Sequence, residues 1–292
     1  MRTPAEHRKG IVLLVGACLC WASAGVLVRN MQVLDGWKIT FWRSLFMAIF
    51  LFIVLSVQHG TRLPQRIRDM GWPGVVSGML FALMFICFIL ALSKTTVANT
   101  LVVGSISPFM AALFGRIFLH EPVTPRTWLA MLAALGGITV MFFDSLAAGG
   151  WTGNLIALCI PVAFAVNVVL LRKHRATLDL IPSILLAGIF SMLITLPFAL
   201  PLAVGHGDLA LLAGMGVGQL GLGLLLLLLA VPYLSSAEIA LLSVLEIIFG
   251  VVSTWLLVGE RPSDAALIGG CIVIAALVIN QIASVRRTVA AN

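Results

Sequence analysis

Long apolar runs alternate with short polar segments along the whole chain, and this pattern predicts the elements of the fold. Ten runs of about 20 residues can be marked, each close to the length that crosses the hydrocarbon core of a bilayer. They cover residues 11–29, 38–57, 73–93, 96–118, 126–143, 152–172, 181–203, 208–230, 235–257 and 264–284. Because the connections are short, little chain remains for a soluble domain. The pattern predicts an all-α integral membrane protein with ten transmembrane helices.

Two of these runs are versions of one another. Residues 96–121 and residues 235–260 align without a gap at an offset of 139 positions, and Glu121 then falls on Glu260. Each segment starts with small polar residues and leads into an acidic turn that contains a proline. A fixed offset between two such segments indicates an internal repeat.

The starts of the two halves of the chain correspond as well. At an offset of 143 positions three pairs coincide: Gly10 with Gly153, Trp21 with Phe164, and Arg29 with Arg172. Each half then holds five of the ten predicted helices. We therefore expect two five-helix repeats, at residues 1–146 and residues 147–292, as the two domains of the protein.

Composition excludes a soluble fold. The 292-residue chain is 61% apolar and 10% charged, with a mean hydropathy of +1.13, whereas soluble proteins carry about 25% charged residues. Its net charge is +7, but the basic residues lie between the apolar runs, where they set membrane topology and do not indicate nucleic-acid binding. All five cysteines lie inside apolar runs, so neither a disulfide framework nor a metal-binding cluster is expected.

Positive charge determines the predicted orientation. With the N-terminus placed in the cytoplasm, the inner loops hold thirteen lysine and arginine residues and the outer loops hold four. Because basic residues concentrate on the cytoplasmic side of a membrane, both termini are expected to be cytoplasmic. Five helices in each half is an odd number, so the second half enters from the opposite side and the repeats are inverted. The Glu121 turn is then cytoplasmic and the Glu260 turn external.

Four pieces of the sequence carry a resemblance to a known family. They are Cys20-Trp21-Ala22-Ser23, Phe41-Trp42-Arg43, the segment 96–121 with Ser107-Pro108, and the segment from Leu245-Glu246 to Glu260. In this order, over nearly the whole chain, they resemble drug/metabolite transporters of the EamA type. The resemblance implies ten helices in two inverted five-helix repeats, and inverted repeats around a midplane site are typical of secondary transporters.

Within this family, the length, the cytoplasmic termini and the tryptophan in the first helix are similar to those of bacterial exporters of aromatic and other amino acids. The resemblance therefore implies a multi-pass protein of the bacterial inner membrane that exports small amphiphilic metabolites, above all amino acids, by alternating access. Exporters of drugs, purines or other small metabolites on the same fold are the alternative. The expected partners are an amino-acid-like solute and the lipid bilayer, without nucleic acid, and a monomer is expected.

Three charged residues lie inside predicted helices, where charge is costly and usually marks a pathway or an ion pair. Glu246, near the middle of the ninth helix, either binds a proton or a substrate ammonium group, or forms a hydrogen-bonded carboxyl between packed helices. Glu238, one turn into the same helix, is an interfacial carboxylate or a helix N-terminal charge. Arg43 either extends toward the membrane surface or pairs with a carbonyl group.

Eight residues are predicted to bind the solute. Polar groups and large apolar side chains in the matched helices would form an apolar cavity with few polar groups, which suits a small amphiphilic solute. The set is Trp21, Met79, Phe85, Asn99, Ser107, Phe164, Asn167 and Glu246. The alternative for the polar members is interhelical hydrogen bonding, and for the aromatic members it is packing in the protein core.

Motifs of catalysis and of ATP hydrolysis are missing from the sequence. It contains no HExxH motif and no Walker loop, and its five histidines lie outside the predicted helices or at their ends. We therefore expect neither an enzyme nor an ATPase, and no metal or other cofactor is predicted. The sequence leaves open whether export is coupled to protons or is facilitated diffusion.

Overall fold

The structure is a computed structural model that describes residues 4–32, 35–147, 150–174, 180–234 and 236–291. These residues form helices and short turns, and no strand occurs among them. Within this part of the chain, ten helical segments are long and apolar enough to cross a membrane. The prediction of an all-α protein with ten transmembrane helices is confirmed.

The helices follow the predicted apolar runs, and several runs are divided into two pieces. In chain order they are α1 (Pro4–Arg29), α2 (Gly36–His59), α3 (Leu63–Asp69), α4 (Gly71–Leu92), α5 (Val97–Gly104), α6 (Ser107–Leu119), α7 (Pro125–Ala147), α8 (Trp151–Lys173), α9 (Leu180–Ala199), α10 (His206–Ala213), α11 (Gly223–Ala230), α12 (Ser236–Leu242), α13 (Val244–Val258) and α14 (Asp264–Ala291). A π-helical segment, Gly214–Leu222, joins α10 to α11. The sequence offsets make α1 equivalent to α8, α5 and α6 equivalent to α12 and α13, and α7 equivalent to α14.

Two helix ends repeat the correspondence between the halves. α6 is followed by His120, which has a left-handed backbone with φ 57° and donates its N–H to the Gly115 carbonyl. α13 is followed by Gly259, also left-handed with φ 77°, which donates its N–H to the Trp255 carbonyl. Helices often end on such a residue because its N–H satisfies a carbonyl of the last turn. His120 and Gly259 are equivalent at the offset of 139, so both helices end on a left-handed residue at the same position, although the accepting carbonyls differ by one residue.

The fourth membrane-crossing segment is broken where α5 meets α6. Pro108, the second residue of α6, has no N–H and cannot bond the Gly104 carbonyl as a continuous helix requires. Ser107 Oγ donates to that carbonyl instead, at 2.6 Å. Ser105 and Ile106 form the turn between the two helices, so the break lies inside the crossing segment.

The ninth segment is broken at the equivalent level, between α12 and α13, although it contains no proline there. Ser243 lies at the break and is the repeat equivalent of Gly104, the last residue of α5. Its hydroxyl donates to the Ile239 carbonyl at 2.8 Å, and such back-bonding by serine bends helices. Both breaks therefore leave half-helices that end and start inside the helix bundle.

The eighth segment packs through a glycine that the sequence pattern does not select. The GxxxG spacing of Gly214 and Gly218 predicts close helix packing, but a Cβ atom added at either position would meet no atom within 4 Å. Among the glycines in close contact, Gly216 is the one that meets the backbone of α2, because its added Cβ would lie 2.6 Å from the Arg43 carbonyl oxygen. Gly221 and Gly223 instead lie against the side chains of Phe50 and Trp21. Hydrogen bonds in a π-helix join residues five apart instead of four. Residues at an α-helical spacing therefore do not identify the face of this segment that packs on α2.

Most of the extensive helix contacts join the two halves of the chain. α1 packs on α13, α4 packs on α8 and α9, α6 packs on α8, and α7 packs along α14. The interior of the bundle therefore contains helices from both halves. A cavity in this interior is shared between the halves.

The crossing of α7 and α14 gives a first prediction, because two adjacent glycines differ in what surrounds them. A Cβ atom at Gly137 would lie 2.6 Å from the Gly269 carbonyl oxygen, whereas one at Gly136 would meet no atom within 4 Å. We expect Gly137→Ala to destabilise the protein by about 1–3 kcal/mol because the added methyl group overpacks the crossing. Gly136→Ala should be neutral or slightly stabilising, because alanine favours a helix. Thermal unfolding in detergent measures both, and equal melting temperatures would contradict the packing.

Candidate functional site

A cavity of about 350 Å³ lies between the two broken segments. Its wall contains residues of α4, α5 and α6 from the first half and of α8, α12, α13 and α14 from the second. Its volume falls in the usual range of small-molecule sites, about 300–1,000 Å³. The cavity can therefore hold a small metabolite between the two halves of the chain.

The wall is built from equivalent positions of the two halves. At the offset of 139 five pairs coincide: Leu101 with Ala240, Gly104 with Ser243, Ser105 with Val244, Ser107 with Glu246, and Pro108 with Ile247. Both members of every pair line the cavity. The cavity thus lies where the two breaks meet, and the repeat brings matching backbone to it from each half.

Polar backbone groups reach the cavity because the helices are broken there. α5 and α12 end at the breaks, and α6 and α13 start there. The last carbonyl groups of a helix carry partial negative charge and the first N–H groups carry partial positive charge, and discontinuous membrane helices use such ends to bind charged groups. The hydroxyls of Ser105, Ser107 and Ser243 each donate to a carbonyl of the preceding turn, at 2.6 to 2.8 Å. Their oxygens can still accept a hydrogen bond from a solute.

Glu246 is the one ionisable side chain on the described wall. It lies in the first turn of α13, where its N–H donates to the Ser243 carbonyl at 3.1 Å. Negative charge is favourable at the start of a helix, but a carboxylate inside a membrane protein also needs a proton, a cation or hydrogen-bond donors. The site can therefore attract an ammonium group or a proton.

The rest of the wall is mostly apolar. Met84 and Phe88 of α4, with Ile160 and Phe164 of α8, provide two aromatic rings and two flexible or branched side chains. An apolar wall with a small number of placed polar groups is the usual design of a site for an amphiphilic small molecule. The solute that fits this wall has an apolar part and at least one polar or charged group.

Three of the eight predicted solute-binding residues lie on this wall: Ser107, Phe164 and Glu246. Trp21 does not, because α1 turns it toward α11, where a Cβ atom added at Gly223 would lie 2.7 Å from the Trp21 Cδ1 atom. Asn99 is buried near the start of α5, and its Nδ2 donates to Thr95 Oγ1 at 3.3 Å. The structure therefore does not bring Trp21 to the wall that its repeat equivalent Phe164 lines.

Met79, Phe85 and Asn167 also lie away from this wall. Met79 is exposed on the outer surface of α4. The Phe85 ring lies over the Arg43 guanidinium group, with 5.7 Å between the ring centroid and the guanidinium carbon. Asn167 is buried in α8, and its Oδ1 has no hydrogen-bond partner. A role of these three in solute binding stays a prediction.

Most of the wall residues are missing from the predicted set, among them Met84 and Gln281. Gln281 is an amide in the last crossing helix, and its polarity is a signal that could have identified it. Met84 is one of many apolar residues of α4, and nothing in the sequence distinguishes it from its neighbours.

The different positions of Phe164 and Trp21 lead to a second prediction. Phe164→Ala should raise the KM for an aromatic solute by about three- to tenfold, because an aromatic contact is worth about 0.5–1.5 kcal/mol and the ring lines the cavity. Trp21→Ala is the matched variant. It should lower the melting temperature, because Trp21 packs on α11, and leave KM nearly unchanged. Transport kinetics in liposomes measure both. A larger KM change for Trp21→Ala than for Phe164→Ala would show that the solute binds elsewhere.

The other two charged residues of the predicted helices have partners. Glu238 Oε1 lies 2.8 Å from His7 Nε2, so the start of the ninth segment contacts the start of α1. Arg43 Nη2 donates to the Phe85 carbonyl at 2.9 Å. Arg43 is 1% exposed, so it pairs with a carbonyl group and does not extend toward the membrane surface.

An ion pair joins the two halves at one end of the bundle. Arg29, the last residue of α1, donates from Nε to Glu260 Oε2 at 2.5 Å. The same guanidinium group donates to the carbonyls of Leu92 and Thr95 at 2.9 and 2.8 Å. Glu260 Oε1 accepts from the Val97 N–H at 2.7 Å. Backbone groups around the start of α5 therefore hold both partners, and the two side chains are 27% and 20% exposed.

The equivalent ion pair joins the halves at the other end. Arg172 of α8 donates from Nη1 to Glu121 Oε2, directly after α6. Arg172 and Glu121 are the repeat equivalents of Arg29 and Glu260. Because Val97 starts α5 and Glu121 follows α6, the two pairs lie at opposite ends of one crossing segment. The Arg172 and Glu121 side chains are 53% and 41% exposed, so this end is held less tightly.

Comparison with known proteins gives matches over almost the whole chain. Residues 8–143 and, separately, residues 151–281 match the EamA-like transporter family. Two curated relatives, from two strains of Pseudomonas aeruginosa, are both named pseudopaline exporter CntI. Each is 25% identical to this chain, and each match covers 93% of this chain and 95% of the relative.

A solved crystal structure is similar in fold. It is 20% identical in sequence and has a TM-score of 0.64, over 96% of this chain and 98% of the other. At this identity the similarity concerns the fold alone. The arrangement of helices is therefore a known one over nearly the full length.

Proposed function

The chain belongs to the EamA-like transporter family, and from this premise we propose that it exports small amphiphilic metabolites, above all amino acids, including aromatic ones. We place it in the bacterial inner membrane with both termini in the cytoplasm. The main support for this type of solute is the cavity, where one carboxyl group, that of Glu246, lies on a mostly apolar wall. The two relatives named for exporting pseudopaline support export of a small metabolite as the direction of transport.

The wall matches the two ends of an aromatic amino acid. An ammonium group is attracted by the Glu246 carboxyl and by the carbonyl groups at the ends of α5 and α12. An apolar side chain is removed from water by Phe88 and Phe164, and burial of apolar surface is favourable in proportion to its area. We propose a monomer as the transporting unit.

Alternating access is supported by the two ion pairs between the halves. Each pair ties the first half, residues 1–146, to the second half, residues 147–292, at one end of the bundle. Opening the cavity at one end requires that its pair breaks while the other pair holds. Inverted repeats permit this, because exchanging the shapes of the halves exchanges the open side. With the N-terminus inside, the Arg29–Glu260 pair is external, and its additional backbone bonds favour closure of the external end.

Reconstituted transport tests the function. Liposomes that contain the purified protein and unlabelled phenylalanine should accumulate labelled phenylalanine by exchange. Protein-free vesicles and vesicles with the Glu246→Gln variant are the controls, since the variant keeps the size of the side chain and removes its negative charge. Equal label in all three preparations would contradict the proposed function.

Export of drugs or purines on the same fold is the second candidate. The observation that favours it is the pair of rings, Phe88 and Phe164, on the cavity wall, because planar apolar solutes stack on aromatic side chains. Competition of purine bases, cationic dyes and amino acids against labelled phenylalanine separates the two candidates. The same vesicles with and without an imposed pH gradient distinguish proton coupling from facilitated diffusion.

A further inference from the structure

Arg43 is a fully buried cation with few partners. It lies in α2 and is 1% exposed, and its backbone carbonyl is covered by the close approach of Gly216. Its guanidinium group makes one hydrogen bond, from Nη2 to the Phe85 carbonyl at 2.9 Å. Its Nε has no hydrogen-bond partner, and no carboxylate of the described chain forms an ion pair with it. A buried charge without a counter-charge is costly and usually has a function in a membrane protein.

Two aromatic rings cover the guanidinium group, and one of them also lines the cavity. The guanidinium carbon lies 5.7 Å from the centroid of the Phe85 ring and 6.0 Å from that of the Phe88 ring. Such cation–π contacts stabilise a cation without neutralising it. Phe88 is part of the cavity wall, whereas Phe85 and Arg43 are not. The Phe88 ring therefore contacts the guanidinium group and the solute cavity at the same time.

The fold does not require a cation at this position. At the offset of 143 the equivalent residue in the second half is Leu186, which lies in α9. α2 and α9 pack against each other, so an apolar side chain at this register is compatible with the packing of the bundle. The charge is present in one half only, which is expected of a group that recognises an asymmetric solute.

The described wall of the cavity carries no full positive charge, and the Arg43 guanidinium group lies over one of its rings. Glu246 is the one ionisable group on the described wall, and the starts of α6 and α13 offer partial charge only. A planar guanidinium group binds a carboxylate through two parallel hydrogen bonds, with donors fixed in the matching geometry. Rotation of the Phe88 ring would bring such donors to the cavity.

We propose that Arg43 binds the carboxylate of the exported solute and that the Phe88 ring covers it when the cavity is empty. The exported solutes are then carboxylate-bearing amines, with the amine near Glu246. This inference rests on the proposed export function and adds the charged groups that the solute must carry. It also makes Arg43 a specificity-determining residue.

The test compares solutes that differ only in the carboxylate. Phenylalanine, phenylalaninamide and phenethylamine are competed against labelled phenylalanine in liposomes with the wild-type protein. Loss of a charged hydrogen-bond partner should weaken the amide and the amine about 10- to 100-fold relative to the acid. Equal competition by all three would overturn the assignment of Arg43 while leaving the export function intact. Vesicles that take up no phenylalanine contradict the export function, and the assignment of Arg43 falls with it.

Two variants separate recognition from packing. Arg43→Gln should bring the acid and the amide to similar KM values, because the carboxylate loses its cation. Arg43→Lys keeps the charge without the planar donor pair and should retain part of the preference for the acid. A packing role would change both KM values together and leave their ratio unchanged, so a folded Arg43→Gln protein with the wild-type ratio would overturn the proposal. If Arg43→Gln does not fold, the wild-type solute series and Arg43→Lys still decide it.

Discussion

The Glu246→Gln variant is expected to lose transport by about 10- to 100-fold, because hydrogen bonds to charged groups are worth about 1.5–3 kcal/mol. Glu246 is the one ionisable side chain on the described cavity wall, so no neighbouring wall residue can replace its charge. Glutamine keeps the length and the hydrogen-bonding capacity of the side chain, and protein amounts in the membrane should remain normal. Phenylalanine exchange in liposomes, at equal protein content, gives the measurement.

The repeat supplies a matched control for this variant. Ser107 is the equivalent of Glu246 and lies on the same wall, but its hydroxyl already donates to the Gly104 carbonyl at 2.6 Å. Ser107→Ala should therefore change transport much less than Glu246→Gln. If the two variants were equally impaired, the charge of Glu246 would not be the important property of this wall. A response to an imposed pH gradient that disappears in Glu246→Gln would identify the carboxyl as the proton-binding group.

Breaking the Arg29–Glu260 pair is expected to have the second large effect. Removing one partner of a buried pair costs about 3–5 kcal/mol, and partial exposure of this pair reduces the expected loss of unfolding free energy to about 1–3 kcal/mol. Glu260→Gln also leaves the Arg29 charge without its counter-charge. Opening of the cavity at this end should become more frequent. Thermal unfolding and the rate at which a water-soluble thiol reagent labels a cysteine placed at Ser107 measure the two effects.

The equivalent Arg172–Glu121 pair, and a variant in which the charges of Arg29 and Glu260 are exchanged, are the controls. Glu121→Gln removes the equivalent charge at the other end, where the side chains are about half exposed, and should cost less than about 1 kcal/mol, as surface ion pairs do. The double variant Arg29→Glu with Glu260→Arg should recover part of the stability lost by each single variant. Equal losses for Glu260→Gln and Glu121→Gln would contradict the difference between the two ends.

The ten crossing helices could be predicted because each depends on local sequence. Each crossing segment is a run of apolar residues, and each run is long enough to be recognised without knowledge of its neighbours. Glu246 could be selected as a candidate for the same reason, since a carboxyl group in such a run is conspicuous, and the structure places it on the cavity wall. The left-handed residue after α6 and after α13 is a detail of the turns that the repeat places at equivalent positions.

The face that each helix turns to the cavity could not be predicted. α1 is apolar on nearly all sides, so nothing in its sequence states that Trp21 packs on α11 while its equivalent Phe164 lines the cavity. Asn99 lies in α5, which lines the cavity, but it is near the start of that helix, where its side chain donates a hydrogen bond to Thr95. Rotation and depth of a membrane helix are set by its neighbours, and these are known only in the folded chain.

The break in the ninth segment and the π-helix in the eighth segment also could not be predicted from the sequence. Pro108 marks the break between α5 and α6, but Ser243 has no comparable signal, because most serines in helices do not interrupt them. The spacing of Gly214 and Gly218 predicts an α-helical contact, whereas the π-helix turns Gly216 to α2. In each case tertiary packing selects a backbone geometry that local preference does not favour.

The unequal breaks have a thermodynamic consequence for a carrier of this design. Pro108 removes a backbone hydrogen bond from the fourth segment, whereas Ile247 keeps its N–H, so the sequence of the ninth segment is compatible with a continuous helix. Two identical inverted halves would give inward- and outward-open forms that are related by a two-fold rotation about an axis in the membrane plane and have the same free energy. Differences between the halves, Pro108 among them, remove this equality, so we expect the empty carrier to prefer one orientation and to bind its solute with different affinity on the two faces of the membrane.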